Sequence, residues 1–369
     1  MERKMLRIKD ITTYLESWAP SSLQESYDNS GLLLGEKTDE VNQVLISLDI
    51  TEEVIDEAIA TQSDFIIAHH PFIFKGLKKI GDSHWIDRCI RKAIKNDIAI
   101  YAIHTNLDNI HTGVNKKIAE KVGLSKTSIL QPKKETLSKL TVFMPVENKD
   151  EVLNAMYAAG AGNIGNYDHC SFQIEGTGTF RGNEDSNPTI GNQGEDESVQ
   201  ETRCEVLVPT YRINQVLNAM NEAHPYEEVA HYINPLSNIN QEVGAGMIGH
   251  LPQPAKTKEF LLSLKKSMNL DIIRHTKIVR DEISKVAICG GSGSFLLKSA
   301  IAKSADIFIT ADFKYHDFFE ANEEIIIADI GHYESEVFTK ELLQDALTKN
   351  FTKFAFRLSK VDTNPIKYL

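Results

Sequence analysis

Short apolar runs alternate with amphipathic stretches toward both ends of the chain. Each predicted strand is a run of aliphatic and β-branched residues, found at residues 44–48, 65–68, 98–103, 286–289, 306–309, 325–328 and 354–358. The main predicted helices carry apolar residues at helical spacing and lie at residues 8–18, 52–62, 84–95, 114–122 and 257–268. Strands that alternate with amphipathic helices favour an α/β fold.

The middle of the chain contains an internal repeat. A strand that ends at residues 144–145 and a helix containing residues 152–156 recur 64 positions later, at residues 208–209 and 216–220. Each copy is interpreted as strand, helix and strand. Two such halves form a ferredoxin-like α+β unit.

This repeat divides the chain into three parts. The segment 182–200 between the two copies is polar and acidic, with several Gly, Asn and Ser residues, and is interpreted as a hairpin extension. The whole ferredoxin-like unit covers residues 137–235. It is therefore predicted to be inserted between an N-terminal α/β lobe, residues 1–130, and a C-terminal α/β lobe, residues 241–369.

Two adjacent histidines, His69 and His70, follow the apolar strand at residues 65–68. Neighbouring residues within a strand point to opposite faces, so the pair could not converge on one ion inside the strand. Pro71 ends the strand directly afterwards because it has no N–H to donate to a neighbour. At the end of a strand, the two imidazoles can bind one ion, or one each of two adjacent ions.

Two further apolar strands end in polar side chains of the same kind. His104 follows the strand at residues 98–103, and Asp108 comes four positions later. His332 and Glu336 stand at positions i and i+4 of a predicted helix start, where they share one face and can bind one ion together. Ligands of open α/β sheets gather outside the carboxyl ends of the strands, so these side chains predict a metal site.

There are more candidate ligands than a single metal ion requires. They are His69, His70, Asp108, His332 and Glu336. One catalytic zinc takes about three protein ligands plus water, so five candidates suit two ions better than one. Two ions would polarise a shared water and lower its pKa toward ~7. Since the set contains only imidazole and carboxylate, zinc, iron and manganese all remain open.

Two histidines are candidates for proton transfer. His104 is expected to face the same cavity as Asp108, either as a ligand or as a proton shuttle or hydrogen-bond donor. The alternative for His104 is a side chain that only packs. His316 follows the strand at residues 306–309 and could act as a general acid. The alternative for His316 is a surface position on a helix whose N-cap is Asp312.

Two polar turns carry weaker signals. Residues 290–294 are rich in glycine and lie between a strand and a helix, where backbone N–H groups can hold phosphate. They lack the lysine of a P-loop, and a tight turn explains the glycines equally well. Asp28 lies in a second turn, where it could line the site or close an Asx turn.

Composition narrows the class of protein further. The net charge of −12 argues against a general nucleic-acid or anionic-membrane surface, although a bound metal could still attract a small phosphorylated ligand. The four cysteines form no C-x-x-C pair, and no run approaches the ~20 apolar residues of a membrane span. Residues 1–10 show no apolar signal segment. We therefore expect a cytoplasmic protein with no membrane partner.

Taken together, six segments resemble the dinuclear-metal-centre family known as GTP cyclohydrolase 1 type 2 homologs, or Nif-three-like proteins. They are residues 27–32, 68–72, 104–108, 287–293, 309–312 with 315–316, and 331–333 with 335–336. The resemblance implies two metal-binding α/β lobes of a Nif-three-like fold, with two divalent ions per subunit. Their ligands would be His69, His70, Asp108, His332 and Glu336. The middle unit resembles the PII/CutA-like insert of longer bacterial members, including residues 225–229.

The resemblance also implies an assembly and an activity. Members of the family are similar in forming toroidal homohexamers with metal sites facing an internal cavity. The family name points to ring opening of GTP with release of formate, with His104 or His316 moving protons and residues 290–294 receiving the triphosphate. The sequence itself requires only hydrolysis by activated water. A phosphoester or another cyclic amide could be the substrate, and a non-catalytic metal-binding or regulatory hexamer is a further alternative.

Overall fold

The computed structural model describes residues 6–369, in which the chain forms fifteen strands and eleven α-helices, numbered in chain order. The strands are β1 (Gly31–Leu34), β2 (Val44–Ser47), β3 (Phe65–Ala68), β4 (Ala99–Ala102), β5 (Ser125–Pro132), β6 (Leu137–Pro145), β7 (Ser171–Arg181), β8 (Asp196–Pro209), β9 (His231–Leu236), β10 (Gly244–Lys256), β11 (Arg274–His275), β12 (Glu282–Ser292), β13 (Ile307–Ala311), β14 (Ile326–Asp329) and β15 (Phe356–Leu358). The helices are α1 (Ile8–Trp18), α2 (Glu52–Ala60), α3 (Trp85–Lys95), α4 (Thr105–Asp108), α5 (Val114–Val122), α6 (Lys149–Ala158), α7 (Ile213–Ala223), α8 (Thr257–Ser267), α9 (Leu297–Ala302), α10 (His332–Glu336) and α11 (Thr339–Asn350).

The helices predicted from apolar spacing are confirmed, and their ends have local causes. The Thr51 side chain accepts a hydrogen bond from the Val54 N–H and so caps α2. Gly123, with a φ of 80°, takes the left-handed conformation that ends α5. No helix in residues 6–369 combines the length and the apolar character needed to cross a bilayer. The expectation that residues 1–10 contain no signal segment falls partly on residues 1–5, which lie outside the described residues.

The chain divides into two compact units. The first unit combines residues 6–132 with residues 241–369, and the second comprises residues 133–240. The two ends of the polypeptide therefore fold together. The middle of the chain forms a body of its own.

The first unit contains a five-stranded sheet in the order β1–β4–β3–β2–β15. Strands β2, β3 and β4 run parallel to one another, and β15 adds to β2 in the same direction. Every residue of β2, β3 and β4 is buried, which explains why these strands are continuous apolar runs. Because the strands are parallel, the residues that follow β2, β3 and β4 emerge at one edge of the sheet.

A second sheet of the same unit has six strands in the order β11–β14–β13–β12–β10–β5. Here β12, β13 and β14 are parallel, while β10 pairs antiparallel with both β12 and β5. Phe308 and Ile327 lie in the apolar core on one face, together with residues of α9. The carboxyl ends of β12, β13 and β14 again share one edge.

The second unit is a four-stranded antiparallel sheet in the order β7–β8–β6–β9. The predicted strand and helix of each repeat copy are confirmed as β6 with α6 and as β8 with α7. Both helices pack on one sheet face, where the core includes Val142, Val152, Met156, Val206, Val216 and Met220. One expectation needs correction, because residues 196–200 belong to β8 rather than to an extension. They pair with β7 from Asp196 opposite Arg181 onward, so the connection spans only residues 182–195.

Candidate metal centre

The strand ends of the first unit bring five polar side chains to one place. His70 Nε2 lies 2.9 Å from Glu336 Oε2, and His332 Nε2 lies 3.1 Å from the same oxygen. His69 Nε2 lies 3.6 Å from Asp108 Oδ1 and 3.9 Å from Glu336 Oε1. Glu336 is buried at the centre of this group. The structure thus gathers every side chain that the sequence proposed as a metal ligand, including residues from opposite ends of the chain.

Each of four histidines around this site is held through Nδ1 by an acceptor on its outer side. The pairs are His69 with the Ile103 carbonyl at 2.8 Å, His70 with Asp49 at 2.7 Å, His104 with Asp28 at 2.8 Å and His332 with Asp312 at 2.6 Å. A carbonyl or carboxylate oxygen accepts, so Nδ1 carries the proton and donates. The lone pair of each neutral ring is then on Nε2. This is how metal-binding histidines are oriented in proteins.

Two buried atoms of the group have no hydrogen-bond partner. They are His69 Nε2 and Asp108 Oδ1, whose separation of 3.6 Å is too long for a hydrogen bond. A buried polar atom without a partner costs roughly 1–3 kcal/mol, and such atoms are rare. A cation bound by both atoms would remove this cost. Ligand atoms of His69, His70 and Glu336 also lie within 4.8 Å of one another, so the residues present fit a divalent metal ion.

Gly291, near the end of β12, explains how Glu336 can lie so close to the backbone. Its φ is 59°, and a Cβ at this position would lie 2.5 Å from Glu336 Oε1 and 3.2 Å from His332 Cε1. Only glycine leaves room there without strain. The Gly291 N–H donates to Ser335 Oγ at 2.9 Å, and the Gly290 N–H donates to Asn115 Oδ1 at 3.0 Å. Two N–H groups of the 290–294 turn are therefore already engaged, which favours a backbone role for its glycines over a phosphate cradle.

The surroundings of the histidines favour their protonated forms in the absence of a metal. Burial opposes a charge on His70, but hydrogen bonds with Asp49 and Glu336 raise its pKa to about 9. Burial also opposes a charge on His332, whereas Asp312 and Glu336 raise its pKa to about 11. A metal ion must replace the Nε2 proton of each ring that it binds. Metal binding should therefore release protons.

The two carboxylates of the site differ in their electrostatic surroundings. Burial would raise the pKa of Glu336, but hydrogen bonds from the surrounding histidines hold that pKa well below its ordinary range. Burial, reinforced by the charge of Glu336, raises the pKa of Asp108. Glu336 is thus the permanent anion of the group. Asp108 is the carboxylate that gains most from an added cation.

The two candidates for proton transfer, His104 and His316, lie in different parts of the structure. The ring centroid of His104 lies 5.4 Å from those of both His69 and His70, so His104 adjoins the candidate ligands. His316 is exposed on a 3₁₀ helix, where its ring neighbours are Tyr315 and Phe319. Among residues 6–369, no hydrogen bond or ring contact links His316 to the metal-site residues.

Sequence reasoning missed most of the carboxylates that accept a hydrogen bond from Nδ1 of a site histidine. Asp49 was not considered, although it follows β2 just as the histidines follow β3. Asp312 does not cap the helix of His316, because Lys314 is the N-cap and Asp312 binds His332. Asp28 lines the site, because it accepts from His104 Nδ1. It closes no Asx turn, since its carboxylate accepts from the Asn29 N–H and the Ser30 N–H donates to Gln24 Oε1. The strand-end argument, applied to β2 and β13, would have found Asp49 and Asp312.

Comparisons with known proteins cover nearly the whole chain. The family model for Duf34/NIF3 (NGG1p interacting factor 3) matches residues 6–365. Curated proteins named GTP cyclohydrolase 1 type 2 homolog, from Halalkalibacterium halodurans and Bacillus subtilis, are each 38% identical over 99% of this chain and 100% of their own length. The crystal structure of a Bacillus cereus protein related to NIF3 is similar with a TM-score of 0.87 at 39% identity, covering 100% of both chains.

Proposed function

Since the chain belongs to the Duf34/NIF3 family, we propose that it is a metal-dependent hydrolase with a dinuclear centre in its first unit. The resemblance inferred from six short segments is confirmed by the family match and by the curated relatives. The metal centre and the activity are our proposals.

One observation carries the proposal: four histidines, each anchored through Nδ1, surround two carboxylates. We assign metal binding to His69, His70, Asp108, His332 and Glu336. Glu336 would hold metal together with three of the histidines, because one of its oxygens faces His70 and His332 while the other faces His69. Divalent ions bound there would act as Lewis acids that activate water near neutral pH. Zinc, iron and manganese all fit ligands of imidazole and carboxylate.

We assign proton transfer to His104 at its Nε2 atom. Asp28 holds the opposite edge of the ring and also accepts a hydrogen bond from the Thr105 N–H at 3.0 Å. Burial would raise the pKa of Asp28, but the hydrogen bonds from His104 and Thr105 lower it well below its ordinary value. An ionised Asp28 fixes the tautomer of His104 and stabilises the ring when it takes up a proton. The exposed His316 receives no role in this step.

The name shared by the curated relatives makes GTP the first substrate to test. Protein loaded separately with zinc, iron or manganese is incubated with GTP, and formate is measured. We expect formate from the unchanged protein, none from His70→Ala, and an undiminished amount from His316→Ala. If no metal gives formate above the enzyme-free control, GTP ring opening is wrong. A panel of phosphoesters and cyclic amides then distinguishes another hydrolase from a non-catalytic metal protein.

We further propose that the second unit is a ferredoxin-like domain of the PII/CutA type and that the protein forms a toroidal homohexamer. Its chain order, β6–α6–β7–β8–α7–β9, and its sheet order, β7–β8–β6–β9, match the ferredoxin-like arrangement. The hexamer is proposed from the family resemblance. Light scattering during size-exclusion chromatography should give about six times the 41.4 kDa chain mass. A monomeric mass would contradict it.

A further inference from the structure

After its last strand the chain continues as a C-terminal strap, residues 359–364, which joins two elements of the metal centre. At its start, the Ser359 N–H donates to the Ile46 carbonyl at 2.8 Å, which fixes the strap beside β2. Val361 packs against the core of the first sheet. At the end of the strap, Asn364 Nδ2 donates to Glu334 Oε1 at 2.9 Å, on the same short helix as Glu336. The strap therefore runs from the end of β2 to α10.

Thr363 lies where the strap passes Asp49. Its hydroxyl donates to Asp49 Oδ2, while Asp49 Oδ1 accepts from His70 Nδ1 at 2.7 Å. Each oxygen of the carboxylate thus has its own partner, and the orientation of Asp49 is fixed. The Asp49 side chain is 29% exposed. Without the hydroxyl of Thr363, the carboxylate could turn toward water and release the His70 ring.

Together these contacts form a closed ring of interactions beside the candidate metal site. His70 Nε2 lies 2.9 Å from Glu336 Oε2, and Glu336 shares α10 with Glu334, which binds Asn364. The strap returns from Asn364 to Thr363 and so to Asp49. The Nδ1 acceptors of the other three histidines make no hydrogen bond to the strap among the described residues: they are the Ile103 carbonyl for His69, Asp28 for His104 and Asp312 for His332. Of the four histidines, His70 is the one whose Nδ1 acceptor is itself hydrogen-bonded to the strap.

We propose that Thr363 is a positioning residue of the metal centre, and that the C-terminal strap completes this centre by fixing Asp49 against His70 and tying it to α10. The inference rests on the proposed metal-binding function and adds a residue that acts through Asp49 rather than by touching the ion. Partners that orient metal ligands typically change metal affinity by ~10–100-fold when they are lost. Metal occupancy should therefore depend on an intact C-terminal strap.

The test compares three single variants of the full chain. Thr363→Val removes the hydroxyl at nearly constant volume, and Thr363→Ser keeps it. Ser359→Ala is the matched control, because it removes two other hydrogen bonds of the strap, to Glu57 of α2 and from the Val361 N–H, and leaves the Thr363–Asp49 bond in place. Zinc affinity is measured by competition with a chromogenic chelator. Circular dichroism and thermal unfolding of the metal-free proteins report on the fold.

We expect Thr363→Val to weaken zinc binding by ~10-fold or more, while Thr363→Ser and Ser359→Ala stay within about threefold of the unchanged protein. The metal-free fold should be the same in all of them. Unchanged zinc affinity in Thr363→Val would overturn the inference. Equal losses in Thr363→Val and Ser359→Ala would also overturn it, because the strap would then support the fold in general. If the unchanged protein binds no zinc, manganese or iron, the proposed function itself fails, and the two failures are distinguishable.

Discussion

The histidines of the two units of this protein have different surroundings. In the first unit, parallel strands release polar side chains at one edge of each sheet, and these side chains converge with their Nε2 atoms facing carboxylates. In the second unit, His224 Nε2 bonds to the Phe143 carbonyl, and His231 Nδ1 bonds to the Val229 carbonyl. Within residues 6–369, the ligand-atom cluster that could hold a metal is in the first unit.

The difference follows from strand direction. Parallel strands all end at the same edge of a sheet, so similar residues after successive strands become neighbours. Antiparallel neighbours end at opposite edges, so similar residues after β6 and β8 cannot gather in the same way. A polar residue at a strand end is therefore strong evidence for a site only where the sheet is parallel.

The largest expected effect comes from removing the central carboxylate. Glu336→Gln keeps the shape of the side chain but removes the charge that faces His70 and His332. We expect metal affinity to fall by more than the ~10–100-fold typical of residues that only orient ligands. His231→Ala in the second unit serves as the matched control and should bind metal normally. Elemental analysis after dialysis measures both, and equal metal content in the two variants would contradict the assignment.

A smaller effect is expected from one methyl group on a glycine. Gly291→Ala places a Cβ 2.5 Å from Glu336 Oε1 and forces a φ of 59° on an alanine, so Glu336 must shift. Gly176→Ala, on β7 of the second unit, has no atom within 4 Å of the added Cβ. We expect Gly291→Ala to lose roughly 1–3 kcal/mol of stability and to bind metal more weakly. Thermal unfolding and metal titration should leave Gly176→Ala near the unchanged protein, and a reversed order would refute the close approach.

The smallest expected difference between the two units is in how their stability depends on pH. In the metal-free protein, the raised pKa values of His70, about 9, and His332, about 11, add stability that is complete below pH ~6.5 and is lost as the pH rises through those values. Burial lowers the pKa of His224 in the second unit, so its contribution has the opposite sign and is lost as the pH falls below ~6.5.

This pH comparison can be measured region by region with hydrogen exchange on the metal-free protein. Protection near α10 should decrease from pH 7 to pH 10 after correction for the intrinsic exchange rate. Metal affinity should rise over the same range, because protons compete with the ion for Nε2. A metal affinity that falls with rising pH would contradict the assignment of histidine ligands.

The local pattern of apolar and polar residues in the sequence was enough to predict much of the fold and the candidate metal ligands. The apolar run before His69 and His70 predicted a buried strand with the bounds that β3 has, and the spacing of His332 and Glu336 predicted a shared helix face. Parallel pairing gathers the strand ends within each sheet, but β3 and β14 lie in different sheets, so the approach of the two residue pairs depends on how the two sheets pack. The repeat in the middle of the chain likewise predicted the paired strands and helices of the second unit.

What could not be predicted depends on contacts between distant parts of the chain. The addition of β15 to the first sheet, and the path of the strap past Asp49, place Thr363 beside a residue 314 positions away. No periodicity encodes such a contact. The role of Gly291 was equally hidden, because the glycine-rich turn has the same composition whether it holds a phosphate or makes room for Glu336.

Anomalous X-ray diffraction from crystals grown with zinc, with data collected on both sides of the zinc absorption edge, would locate the bound ions and their ligands. We expect two anomalous peaks ~3.5–4 Å apart, contacted by His69, His70, Asp108, His332 and Glu336. Peaks contacted by other residues would contradict the assignment of these five ligands. So would the absence of a peak at Glu336 in a crystal grown with saturating zinc.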